Sequence, residues 1–122
     1  MEVARDLFEL KKLISQLKLV DDKRDYHRYR VDISGNYYIE QKNHRSTLSA
    51  CRLVDVSTKG ACIEVEEIRV QLGDIVHLQF PIGTNITDAV GKVAYINCKG
   101  DVYKVGLQST SEKDNIVNQL FS

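Results

Sequence analysis

The chain has no tryptophan, one proline (Pro81) and three cysteines, and its lysines and arginines balance its aspartates and glutamates to a formal net charge of zero. Each shortage excludes something. Without a net charge, bulk electrostatics will not draw the chain onto nucleic acid or a membrane surface, so any anion site must be local. Nine aromatic residues among 122 are too few for a long base-stacking groove, which argues against a single-stranded DNA or RNA binder. Cys51, Cys62 and Cys98 are odd in number, far apart and without CxxC spacing, and read as reduced, mostly buried thiols of a cytoplasmic protein. His27, His44 and His77 show no ligand-type spacing with each other or with the cysteines, so no metal site is expected. No apolar run approaches the ~18 residues needed to span a bilayer, so no membrane insertion is expected. The N-terminus, MEVARDLFELKKL, is amphipathic and carries acids, unlike a signal peptide.

What is present is ordinary for a globular domain: 43% hydrophobic and 28% charged residues, on a chain long enough to bury a core without disulfides or metal. Val3, Leu7, Leu10, Ile14 and Leu17 step at alternating intervals of four and three, which predicts a helix over residues 2–20, its stripe widened by Phe8 and Leu13. Such a helix either packs on its own domain or forms a seam for a partner or a second copy. Residues 21–28, DDKRDYHR, have no period and read as a linker. A boundary near residue 22 then separates an N-terminal helix and linker (1–22) from the body (23–122).

In the body the period changes to two. Tyr29, Val31 and Ile33 begin a strand that Ser34-Gly35-Asn36 interrupts and Tyr37–Glu40 resumes. Further strands are expected over 47–56, 60–66, about 75–80 (ended by Pro81), 88–97 and 102–108. Residues 41–46 and 83–85 read as turns or loop, with turns also at Gly73-Asp74 and around Gly100. Ser111, with Asp114 three residues on, opens a terminal helix whose apolar face is Ile116, Val117, Leu120 and Phe121. Six short strands at this spacing predict a mainly β protein, a small closed antiparallel barrel flanked by a helix at each end.

Two stretches carry chemistry. DVSTKG, residues 55–60, separates two strands. As a plain turn, it would use Asp and Ser side chains and a positive φ at Gly60. As a ligand rim, it would offer Asp55 as an acceptor, Ser57 as donor or acceptor, and Gly60 for close backbone approach. Upstream, KRDYHRYR packs Lys23, Arg24, Arg28 and Arg30 into eight residues with two tyrosines and a histidine. Alone, this is a solvated basic loop. Arginine's planar fork also grips phosphate oxygens in pairs and stacks on π faces. Together the two stretches suit a purine nucleotide with more than one phosphate. No His, Cys or Ser stands in a recognisable nucleophile arrangement, so no catalytic residues and no enzyme are expected.

RxxxR just before the first strand, followed by DxSxxG between the second and third, resembles the PilZ domain family. Weaker features agree: Leu72-Gly73-Asp74 ahead of a strand, Gly91-Lys92-Val93, and Tyr103-Lys104-Val105-Gly106 in the last strand. The resemblance covers about residues 23–121. It implies a six-stranded barrel that binds the bacterial second messenger cyclic di-GMP, with no cofactor besides that ligand. It further implies that Arg24 and Arg28 hold phosphate and stack on guanine, and that Asp55, Ser57 and Gly60 line the guanine pocket. Lys23, Tyr29 and Arg30 would be secondary contacts. Lys23 stands where relatives often carry an arginine, a departure that bears on how many ligand molecules stack there. The implied output is a rearranged N-terminal segment meeting a protein partner or a second copy. The alternative is a PilZ-like adaptor that acts by protein contacts without ligand.

Overall fold

The computed structural model describes residues 3, 5–12, 28–41, 44–45, 48–57, 59–82, 84–110 and 116. A short helix, α1 (residues 7–12), precedes seven strands. These are β1 (Tyr29–Gln41), β2 (His44–Arg45), β3 (Ser49–Val56), β4 (Gly60–Val65), β5 (Ile75–Ile82), β6 (Asn85–Lys99) and β7 (Val102–Ser109). All pairings are antiparallel, in the order β2-β1-β3-β4-β7-β6-β5, and β5 pairs back onto β1 through Asn36↔Gln79 to Ile39↔Val76. That last ladder closes β1, β3, β4, β7, β6 and β5 into a six-stranded barrel, which leaves no open sheet edge around its girth. β2 is a two-residue extension paired only with the end of β1.

Alternation builds the interior. Val31, Ile33, Tyr37 and Ile39 of β1, Leu53 and Val56 of β3, and Ala61, Ile63 and Val65 of β4 join one buried cluster. Val76, Leu78 and Phe80 of β5, Ala89 and Val93 of β6, and Val105 and Leu107 of β7 complete it. Leu7 and Leu10 of α1 belong to the same cluster, as does Ile116. The helix starts on a cap: Asp6 Oδ1 accepts the Glu9 N–H at 2.8 Å, and Glu9 Oε2 accepts the Arg5 N–H at 2.8 Å. Leu7 and Leu10 of the apolar seam therefore face their own barrel, while Val3 is exposed. Phe8 does not widen it: at 79% exposed, it points away from that face. Leu13, Ile14, Leu17 and the linker residues 21–27 lie outside the described residues. So does the terminal helix apart from Ile116, which is helical, buried, and donates its N–H to Ser109 Oγ at 3.3 Å.

Several strand boundaries differ from the sequence reading. Ser34-Gly35-Asn36 does not interrupt β1, whose irregularity falls between Arg30 and Ile33. Gly35 is there for space: a Cβ on it would stand 2.3 Å from Phe80 Cδ1 and 2.6 Å from the Gln79 carbonyl. Pro81 does not end β5, which runs to Ile82. Its missing N–H is harmless because β5 pairs with β1 only as far as Gln79 and thereafter has β6 alone beside it. Asn85 accordingly opens β6 rather than lying in a loop. Within residues 41–46, read as a turn, Gln41 and His44–Arg45 are paired strand. Cys51 and Cys62 are buried as expected, and burial pushes the Cys51 thiol up to about 12, but Cys98 is exposed on the β6–β7 hairpin. Gly73 and Gly100 do occupy turns at positive φ (89° and 65°). His77 serves structure: its ring stacks on Tyr38 at 4.7 Å and its Nε2 lies 2.7 Å from Glu40 Oε2.

Candidate ligand-binding site

Backbone bonds between Ser57 and Gly60 close the connection from β3 to β4 tightly. Ser57 N–H donates to the Gly60 carbonyl at 2.8 Å, and Gly60 N–H to the Ser57 carbonyl at 3.3 Å. Ser57 Oγ accepts the Lys59 N–H at 3.1 Å, the serine-turn contact that fixes the rotamer of this buried side chain. A hydroxyl so engaged still has a proton to donate. Ser109 N–H on β7 donates to the Lys59 carbonyl at 2.9 Å and ties the turn to the barrel.

Gly60 is not at positive φ, the conformation that a plain turn reading requires of it. Its reason is steric. A Cβ would stand 2.0 Å from the Leu107 carbonyl oxygen, so only glycine lets the start of β4 lie this close to β7. The turn reading and the rim reading are thus not rivals: a rigid turn presents the rim.

Asp55 lies on β3 opposite Arg30 of β1 and opposite Cys62 of β4. Its carboxylate is three-quarters buried, and Arg28 Nη1 stands 3.9 Å from Oδ2. Burial raises the Asp55 pKa, and the cations of Arg28, Lys104 and Arg30 only partly offset it. The ion pair is loose, and Arg28 itself is largely exposed. Arg28, Asp55, Ser57 and Gly60 all line one cleft of about 150 Å³, which continues over Tyr95 and Gly106.

Four of the five motif residues therefore converge. The fifth, Arg24, lies outside the described residues, as does Lys23. Arg30 sits beside the cleft as an exposed cation, and Tyr29 is half-buried against the core rather than on the cleft wall. Tyr95 on the cleft and Lys104 near Asp55 belong to neither motif. A larger cavity of about 630 Å³ lies at the other end of β3 and β4, lined by Tyr37, Cys51, Val65 and the pairs Arg52–Glu64 and Arg69–Glu67. Its arginines are already matched with acids, and it contains no motif residue. Among the described residues no three His, Cys, Asp or Glu side chains gather as a metal site, and no helix is long and apolar enough to cross a membrane.

The model of the PilZ domain family matches residues 22–122. The chain belongs to the PilZ domain family. The match spans the whole barrel together with the RxxxR segment. No curated protein matches the chain. PilZ domains are binding and adaptor domains, a cyclic di-GMP-binding family in general, rather than enzymes. In this PilZ domain the DxSxxG turn sits at one end of the β3–β4 hairpin, and the second arginine of RxxxR lies directly before β1, beside Asp55.

Proposed function

We propose that this PilZ domain is a cytoplasmic, non-catalytic receptor for cyclic di-GMP, with residues 23–122 as the receptor barrel and residues 1–22 as its output segment. The observation that carries the reading is the convergence of Arg28, Asp55, Ser57 and Gly60 on one cleft. A three-quarters-buried carboxylate in a loose pair with an arginine is ready to exchange partners. Guanine offers an N1–H and an exocyclic amine as donors for Asp55. A phosphate offers Arg28 a fork-shaped partner, and Arg24 a second. Ser57 donates from a fixed rotamer, and Gly60 keeps the turn low enough for a flat base to approach. Lys23, Tyr29 and Arg30 act as secondary contacts. Ligand contact with the Arg24–Arg28 segment rearranges the residues before it and passes the signal to a protein partner or a second copy.

Calorimetry with cyclic di-GMP tests this directly. Charge-assisted contacts are worth roughly 1.5–3 kcal/mol each, so Arg24→Ala and Arg28→Ala should each weaken binding about tenfold to a hundredfold. Asp55→Ala should also narrow the preference for cyclic di-GMP over cyclic di-AMP. Absence of binding by the wild type, or wild-type affinity in the double arginine variant, overturns the proposal and leaves an adaptor that works by protein contacts alone.

A further inference from the structure

The cleft has a wall that neither motif supplies. Tyr95 stands on β6 where the β6–β7 ladder shifts register between Val93 and Tyr95, and its partner across the ladder is Gly106. Such an irregularity re-aims a side chain. Here it lays the tyrosine ring over bare backbone: a Cβ on Gly106 would stand 1.9 Å from Tyr95 Cε2 and 2.4 Å from both Cδ2 and Cζ. Cys62 pairs with Gly106 on one side and Asp55 on the other, so it belongs to the outward row of the barrel wall. Yet it is only 3% exposed and takes no part in the interior cluster. The Tyr95 ring lies over Gly106, directly beside that position. The ring is thus seated on bare backbone, while 41% of the residue stays open beside the cleft.

We propose that Tyr95, held over Gly106, is the face against which the ligand's purine base stacks. The inference rests on the nucleotide reading above and adds a recognition residue to it. The cleft, at about 150 Å³, is well below the ~300–1,000 Å³ of sites that enclose a whole drug-sized ligand. It suits one flat ring system, not a dinucleotide. A base whose edge meets Asp55 and whose phosphate meets Arg28 needs a flat neighbour for its face, and among the cleft-lining residues Tyr95 is the aromatic one. Because the ring already rests on backbone, stacking costs little further ordering.

The test is calorimetry with cyclic di-GMP on wild type, Tyr95→Phe and Tyr95→Ser, together with NMR of the Tyr95 ring protons during titration. Losing an aromatic stacking partner should weaken binding about fivefold to a hundredfold in Tyr95→Ser. Tyr95→Phe keeps the face and should stay near wild type. In wild type, saturation should move the ring protons upfield. If Tyr95→Ser fails to fold, that ring shift decides the matter. Full affinity in folded Tyr95→Ser, or ring protons unmoved at saturation, overturns the inference. Should Arg28→Ala lose binding while Tyr95→Ser does not, only this inference falls. A wild type that does not bind cyclic di-GMP takes both readings down.

Discussion

Asp55 is a charge the fold holds at some cost. Burial raises its pKa, so the folded protein binds a proton there more tightly than the unfolded chain does. For a carboxyl shifted in this direction, stability is greatest at acid pH. It falls as pH rises from the unfolded value, about 3.9, through the raised folded one, and stays lower above that. Asp55→Asn keeps the shape and removes the charge. Its melting temperature should exceed that of wild type at pH 7, and the gain should vanish in acid below both pKa values, while cyclic di-GMP binding is lost at both. A neutral-pH loss of stability in Asp55→Asn would mean that the pair with Arg28 outweighs burial. At this scale the sequence disclosed identities better than reasons. DxSxxG did mark Asp55, Ser57 and Gly60 on one cleft, but Gly60 answers to the Leu107 carbonyl 2.0 Å from its missing Cβ and not to a turn dihedral. Tyr95 was not legible. Its neighbours, Gly106 and Cys62, are set by pairing across two ladders, which local spacing does not encode.

Among the elements, α1 decides between two readings of the N-terminal stripe. Leu7 and Leu10 are 1% and 0% exposed within the barrel's own cluster, so at these two positions the stripe is core, while Val3 is exposed. Leu10→Ala should then destabilise the isolated protein by about 2–5 kcal/mol, the cost of lost burial plus a cavity. Phe8→Ala, on the outward side, should stay within about 0.5 kcal/mol. Denaturant unfolding at several protein concentrations checks both. If Leu10→Ala is silent at low concentration and costly only at high concentration, the stripe is serving a second copy. The periodicity identified Leu7 and Leu10 as one face, and it left open what that face meets. The strands show the same limit. Gly35 and Pro81 look like breaks because glycine and proline usually are, yet β1 and β5 run through both. One glycine makes room for Phe80, and the proline sits where no neighbour needs its N–H.

At the scale of the whole molecule, even strand spacing predicted a closed barrel, and the β1–β5 ladder that closes it joins residues too distant in sequence for spacing to register. β1 is also the element that connects the cleft to the N-terminal segment. It begins next to Arg28, which reaches Asp55. Two residues beyond Arg30 it carries Asp32, which lies 3.7 Å from Arg5 and 3.6 Å from Arg52. These outer-face pairs are exposed and individually worth about 1 kcal/mol or less, so they are easily exchanged. A ligand that draws Arg28 away from Asp55 therefore acts on the start of the strand whose Asp32 touches the segment leading into α1. The ligand moves that contact only by its differential affinity for the two arrangements; a tenfold difference shifts the balance by about 1.4 kcal/mol. Hydrogen exchange with and without cyclic di-GMP should accordingly show protection rising over residues 21–30 and changing over residues 5–12, while residues 75–88 of the β5–β6 hairpin, none of which lines the cleft, stay as they were. A response confined to residues 55–60 would mean that the ligand fills a site already formed and that α1 is ordinary packing, leaving the output to surfaces the ligand itself helps to build.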